Sequence, residues 1–340
     1  MHKIGILLVN LGTPNAPTTT EIRRYLRPFL SDKRVIDIPR IFRYLLLYGV
    51  ILPFRPRKIV ESYKTIWSDQ GSPLLQHTKQ LTDKVSHMLG ASYQVEYAMR
   101  YGSPSISSAL HRLSACEEIC VVPLYPQYAT SSTGSTIAHV MECCAQTWDP
   151  PQVRFAPAFY GADFFIHSVA HTIRQTIETH DFKLDHLLMS YHGIPQRHLL
   201  KTGCQKIKSS CAEAPCSLQT GPKTARCYRQ QCYISSDKIA QATHIKNYSV
   251  SFQSRLGRTP WIKPYTDIYI EKLYQQGVRN LAVVCPSFVA DCLETIEEVG
   301  IRLQEDWLQM PGTTFLRIPC VNSRDDFSTG LAAWLQSSYH

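Results

Sequence analysis

Apolar positions along this chain follow two rhythms: short unbroken runs that end in turns, and longer stretches with apolar residues at helical spacing. Residues 3–9 form the first run, and Asn10-Leu11-Gly12-Thr13-Pro14 turns out of it. Ser72-Pro73-Leu74-Leu75 then opens a helix. Residues 94–99 read as a strand ending at Arg100-Tyr101-Gly102, and residues 118–124 as the next. Continuous apolar strands alternating with helices indicate a parallel sheet covered on both faces. From Asp149-Pro150-Pro151 the pattern begins again, with 187–195 echoing 6–14, 248–254 echoing 95–101 and 281–286 echoing 119–125. The sequence therefore predicts an α/β fold of two similar doubly wound, Rossmann-like domains with parallel sheets. The expected domains are 1–150 and 151–340, the C-terminal segment belonging to the second, with a cleft between the carboxyl ends of the two sheets.

A length of 340 residues and 44% hydrophobic content suit two packed domains. The apolar start, residues 4–9, is too short for a signal peptide and has no small-residue cleavage site, so the expected location is the cytoplasm. The +9 net charge is concentrated: residues 21–64 carry eleven Lys and Arg against four acids, which is +7 of the total. Among those charges lies the apolar run 41–54, too short and too broken to span a bilayer. Such a basic, greasy segment, about 23–58, suits an anionic membrane surface or an acidic apolar ligand; it also fits a core helix with a solvated rim. No nucleic-acid motif accompanies it, and nucleic acid is not an expected partner.

The candidate chemistry sits where strands end. Ligands of open α/β sheets bind beyond the carboxyl ends of the strands, and His192 follows the run 187–191 directly. A lone histidine there also serves as a plain structural residue. After the run 281–284, Asp291, Glu294 and Glu298 fall at i, i+3 and i+7, which on an α-helix sets three carboxylates along one face. Acids in a first turn also cap helices. An imidazole and carboxylates together suit a site that handles a divalent metal and protons. The hydroxyl-rich loop Ser131-Ser132-Thr133-Gly134-Ser135 could expose backbone donors at a helix start. Five of the twelve cysteines, Cys204, Cys211, Cys216, Cys227 and Cys232, fall within twenty-nine positions. Four intervening residues separate Cys211 from Cys216 and Cys227 from Cys232, a spacing that suggests zinc or an iron-sulfur cluster.

Taken together, these stretches resemble the ferrochelatases, which insert ferrous iron into a porphyrin to make haem. The resemblance rests on Leu8-Val9-Asn10-Leu11-Gly12-Thr13-Pro14, Tyr125-Pro126-Gln127-Tyr128, the loop Ser131 to Ser135, Ser190-Tyr191-His192-Gly193-Ile194-Pro195, Phe252-Gln253-Ser254-Arg255 with Pro260-Trp261, and Asp291-Cys292-Leu293-Glu294-Thr295. It implies that His192 is the active-site histidine, that Glu294 handles Fe²⁺ with it, and that Glu298 is the next carboxylate inward. The expected substrates are Fe²⁺ and protoporphyrin IX or coproporphyrin, with haem as product and two protons released. Leu11, Tyr101, Tyr125 and Trp261 are candidates for the apolar porphyrin slot, Ser131 lies in its loop, and Arg100 and Lys64 are candidates for the propionates. The run 41–54 is similar to the apolar lip by which members attach peripherally to the inner face of a membrane. Some bacterial members carry a [2Fe-2S] cluster on an internal loop, which favours that cofactor for four of the five clustered cysteines. A tetrapyrrole and iron-sulfur carrier or sensor without turnover, or a cobalt or nickel chelatase, are the competing readings; a carrier would need the cleft but no base.

Overall fold

The computed structural model describes residues 3–204, 226–257 and 259–337. Two units emerge: Met1–Tyr125 with Thr130–Ala158 and Asn322–His340, and Pro126–Ala129 with Phe159–Val321. In the first, β1 (Ile4–Asn10) leads to helices α1 (Thr19–Ser31), α2 (Arg40–Leu46), α3 (Leu52–Ile66) and α4 (Pro73–Leu89). Strand β2 (Tyr93–Met99), helix α5 (Ile106–Arg112), strand β3 (Glu118–Pro123), helix α6 (Ser135–Ala145) and strand β4 (Gln152–Phe155) follow. The second unit holds α7 (Asp163–Thr179), β5 (His186–His192), α8 (Gln196–Lys201), α9 (Tyr228–Thr243), β6 (Tyr248–Gln253), α10 (Thr266–Gln275), β7 (Asn280–Val284), α11 (Gln304–Leu308) and β8 (Thr314–Arg317). Helix α12 (Asp325–Ser337) closes the chain.

Each unit has one four-stranded parallel sheet, in the order β2-β1-β3-β4 and β6-β5-β7-β8. The two orders are the same arrangement repeated, as the echoing sequence runs predict. The central strands β1, β3, β5 and β7 are the unbroken apolar runs, because helices cover them on both faces. In the first unit Leu7, Val9, Ile119 and Val121 pack with Ile106, Leu110 and Val140; in the second, Leu281 and Val283 pack with Ile270, Val299 and Trp307. The repeat extends to detail. Gly12 and Gly193 each follow the first strand of their sheet, and each is pressed against the backbone where the neighbouring strand ends. A Cβ on Gly12 would lie 1.7 Å from the Tyr101 carbonyl oxygen, and one on Gly193 2.8 Å from that of Gln253.

Three features differ from the sequence reading. The C-terminal helix α12 packs on α4 in the first unit, where Lys84 bonds the Ser323 carbonyl and Asp325, each at 2.6 Å. The apolar run 41–54 is not one continuous α-helix: a π-turn, Leu47–Ile51, joins α2 to α3. Leu47 and Leu52 are buried there, while Ile41, Phe42, Leu45 and Phe54 stay more than 60% exposed. The acidic helix after β7 is a π-helix, Glu294–Leu303, and Asp291 precedes it.

Candidate active site

The second unit builds a site at the carboxyl ends of β5, β6 and β7. His192 is the last residue of β5. Its backbone is clamped on both sides: its N–H donates to Ser287 Oγ at 3.0 Å and its carbonyl accepts from the Tyr228 hydroxyl at 2.7 Å. The ring lies 6.2 Å from that of Phe288. Its Nδ1 is 2.6 Å from the Gly193 carbonyl oxygen. A carbonyl can only accept, so Nδ1 carries a proton, and the ring's lone pair, when it has one, is on Nε2. A basic or metal-binding nitrogen is thereby set by the chain's own turn. That turn needs Gly193, whose N–H donates to the Gln253 carbonyl at 2.8 Å and whose Cα faces Trp261.

The π-helix supplies the carboxylates. Bonding from i to i+5 widens the turn, so that Glu294, Glu298 and Arg302, four apart, run along one side in place of the i, i+3, i+7 column of an α-helix. Asp291 precedes the helix and is not part of this row. Its buried carboxylate pairs with Arg317 at 2.9 Å and accepts from Thr295 Oγ1 at 2.8 Å, a role in fixing the helix start. Arg302 in turn is forked onto Glu297, with Nε 3.0 Å from both carboxylate oxygens.

Glu298 is gripped from β6. Ser254 has φ +64°, a left-handed conformation that aims both its N–H and its hydroxyl at one carboxylate, at 2.8 Å to Oε1 and 2.6 Å to Oε2. Burial raises the Glu298 pKa above the usual carboxylate range and the charge of Glu294 pushes it the same way; the Ser254 hydroxyl and the nearby His192 and Arg302 oppose them. The influence of both His192 and Glu294 on this one carboxyl puts the three groups in a single electrostatic neighbourhood. Gln253 ties the frame together: its amide donates to the Glu294 carbonyl at 2.9 Å and its Oε1 accepts from buried Ser190 at 2.7 Å.

Of the other candidates, Trp261 belongs to the same unit; it bridges to Pro195 and donates from Nε1 to the Leu256 carbonyl. In the first unit, Arg100 pairs with Asp32 at 2.9 Å, and Asp32 also accepts from the Tyr101 hydroxyl and from Ser135. Tyr101 is 2% exposed, so the pair is spent on a buried network. Leu11 is half-buried and its carbonyl accepts from Tyr101 N–H. Tyr125 is half-buried, and burial raises the pKa of its phenol. Ser131 lies on the π-turn Thr130–Gly134, and exposed Lys64 pairs with Glu61 at 2.9 Å. Of the clustered cysteines, Cys211 and Cys216 lie outside the described residues. Cys204 is half-buried and Cys227 precedes α9 as its N-cap. Cys232 lies inside α9 with no exposure, and burial holds its thiol well above the usual thiol range, which suits a core thiol better than a metal ligand. Among the described residues no group of three metal-ligating side chains stands together.

Ser254, Ser287, Tyr228 and Gln253 were not predicted as site residues. Ser254 and Gln253 stand inside a motif quoted for the family resemblance, and Ser287 within the loop after β7. Tyr228 reaches His192 across thirty-six residues and leaves no local signal.

An imidazole and a carboxylate gripped by Ser254 thus stand at the carboxyl ends of a parallel sheet, on an α/β fold also found among chelatases. SirB from Bacillus subtilis, solved with Fe³⁺, matches with a TM-score of 0.55 at 9% identity, over 99% of this chain and 95% of that one. The sirohydrochlorin chelatase SirB of B. subtilis subspecies spizizenii, in complex with cobalt, gives 0.53 at 9% identity, over 99% and 95%. The chain belongs to the ferrochelatase family, whose family model, Ferrochelatase, matches residues 3–339. The ferrochelatase of Legionella pneumophila strain Philadelphia 1 is 43% identical over 325 residues, covering 95% of this chain and 96% of the relative. That of Coxiella burnetii strain Dugway is 41% identical over 345 residues, covering 99% and 94%. The protein is thus a metal chelatase, a lyase of haem biosynthesis that inserts ferrous iron into a porphyrin.

Proposed function

We propose that His192 and Glu298 carry the reaction in sequence, on protoporphyrin IX or coproporphyrin. As Fe²⁺ enters, the porphyrin loses two pyrrole protons. Nε2 of His192 faces the macrocycle as ligand or base, while its Nδ1–H goes on donating to the Gly193 carbonyl. Glu298, whose carboxyl binds a proton more readily than an ordinary glutamate, takes charge onward, and Glu294 shares the iron with His192. Trp261, held against Gly193, forms part of the apolar wall. Leu11, Tyr125 and Ser131 keep the porphyrin-facing roles that family resemblance gives them, and Lys64 that of a propionate partner. Arg100 and Tyr101 act through Asp32 as positioning residues. The observation that carries this reading is the 2.6 Å contact from Nδ1 to Gly193, which fixes the tautomer.

The same reading extends to place and cofactor. The chain works in the cytoplasm against the inner membrane face, its exposed Ile41, Phe42, Leu45 and Phe54 dipping into the interface and its basic residues meeting anionic headgroups. No described helix is long and apolar enough to cross a membrane. A [2Fe-2S] cluster needs four ligands. With Cys232 set aside because it lies inside α9 with no exposure, Cys204, Cys211, Cys216 and Cys227 are the set we assign, and Cys227 is suited by its place at a helix N-terminus, which favours a thiolate. The cluster is structural and supplies none of the substrate iron.

The test is anaerobic turnover with Fe²⁺, and with Zn²⁺ followed by the loss of porphyrin fluorescence, offering protoporphyrin IX and coproporphyrin in parallel. Consumption of either supports the reading, and binding without metal insertion would instead support a carrier.

A further inference from the structure

We propose that the second unit carries another binding pocket, for a planar aromatic carboxylate, on the open edge of its sheet. The pocket has a volume of about 660 Å³, within the range of sites that hold small ligands. It lies between α9, the first half of β6 and α10, whereas the residues that grip Glu298 follow the far end of β6. Its lining does not include His192, Glu294 or Glu298.

Its chemistry is of one kind. Tyr233, Tyr248, Tyr265 and Tyr269 line it with aromatic rings, suited to the face or edge of a flat ligand. Both of its cations stand over those rings: Lys263 Nζ lies 5.9 Å from the Tyr265 centroid and Lys272 Nζ 5.7 Å from that of Tyr269. The one acid of the lining, Asp237, accepts from the Tyr248 hydroxyl at 2.6 Å. Two ammonium groups against one engaged carboxylate favour an anion.

The strand edge adds a donor. Leu187 N–H bonds the Asn247 carbonyl and Gly193 N–H that of Gln253, so odd-numbered residues of β6 point their backbone groups toward β5. The even-numbered ones point away. Phe252 N–H, on that outer side, donates to Pro264 at 2.8 Å. Val250 N–H, two residues earlier, has no such acceptor among the described residues, although Val250 is 6% exposed and lines the pocket. An edge N–H with no protein acceptor is available to a ligand, and a carboxylate oxygen would supply the acceptor. An extended peptide pairing with β6 would want the same edge, but the bridge from Phe252 to Tyr265 already closes its second half.

The experiment titrates the whole protein with 2-naphthoate and with its neutral isostere 2-naphthamide, following binding by calorimetry and backbone amides by hydrogen exchange. We expect naphthoate to bind at least about tenfold tighter than the amide and to slow exchange at Val250, a charge-assisted contact being about twice as strong as a neutral one. Lys263→Ala with Lys272→Ala should remove that preference, and Lys272→Ala alone, at an exposed position, should weaken it. His192→Ala should leave naphthoate binding intact, and Lys272→Ala should leave iron insertion unchanged. Equal binding of acid and amide, no binding of either, indifference to the lysine variants, loss of binding in His192→Ala, or exchange slowed by a tetrapeptide and not by naphthoate would each overturn the proposal.

Discussion

Replacing Ser254 with alanine removes one hydroxyl and tests how Glu298 is held. Two donors from this residue reach the carboxylate, and the hydroxyl bond at 2.6 Å is the shorter. A hydrogen bond to a charged group contributes about 1.5–3 kcal/mol. Losing that support for the ionised form should raise the Glu298 pKa further, about 1.4 kcal/mol being a tenfold change in proton affinity. If Glu298 must be ionised to accept charge from His192, activity falls as pH drops through that value, so the acid limb of kcat/KM should move up by the same amount. Stability should follow with the matching sign. A carboxyl whose pKa is raised by folding favours the native state below the ordinary glutamate range and loses that contribution as pH rises through the folded value. Ser254→Ala should therefore cost little in acid and the full amount near neutrality. Ser254→Gly is the control, because it removes the same hydroxyl while relaxing a left-handed backbone that costs a non-glycine residue about 1–2 kcal/mol. It should share the pH profile of the alanine variant but melt higher. An unmoved acid limb in both variants would refute the role given to Glu298, and an alanine variant as stable as the glycine one would refute the backbone argument.

Gly193→Ala would place a Cβ 2.8 Å from the Gln253 carbonyl and 3.2 Å from Trp261, so a loss of about 1–3 kcal/mol and a fall in iron insertion are expected in melting and activity assays. Changing Ile41, Phe42 and Leu45 together to serine should abolish sedimentation with anionic vesicles and leave solution turnover intact; equal binding of the parent to neutral vesicles would remove the electrostatic part of the claim. The purified protein should be reddish brown and bleach with dithionite. Cys227→Ser should lose colour, Cys232→Ser should keep it, and colourless protein with one equivalent of zinc would exclude the iron-sulfur cluster.

The repeated sheets are legible in the sequence because parallel strands covered on both faces leave unbroken apolar runs, and His192 because it follows such a run directly. What stayed hidden depends on contacts distant in sequence. The spacing groups Asp291 with Glu294 and Glu298 because nothing local shows that the helix starts after it; its charge is spent on Arg317, twenty-six residues away. Arg100 presents as a cation for a propionate until Asp32, sixty-eight residues earlier, is seen to pair with it. Amphipathic α12 carries no mark of which sheet it serves; Lys84 and α4 decide that. The role of Ser254 rests on a backbone angle that no serine announces.

The central claim is that His192, its Nδ1–H donated to the Gly193 carbonyl, presents Nε2 to the porphyrin and the iron. Anaerobic Fe²⁺ insertion by His192→Ala, beside circular dichroism and porphyrin binding, tests it most directly. The account predicts a folded protein that still binds porphyrin and whose turnover falls by about 10²–10⁴-fold. A folded variant that keeps more than about a tenth of the parent rate would contradict it, since the loss would then be too small for a base or ligand.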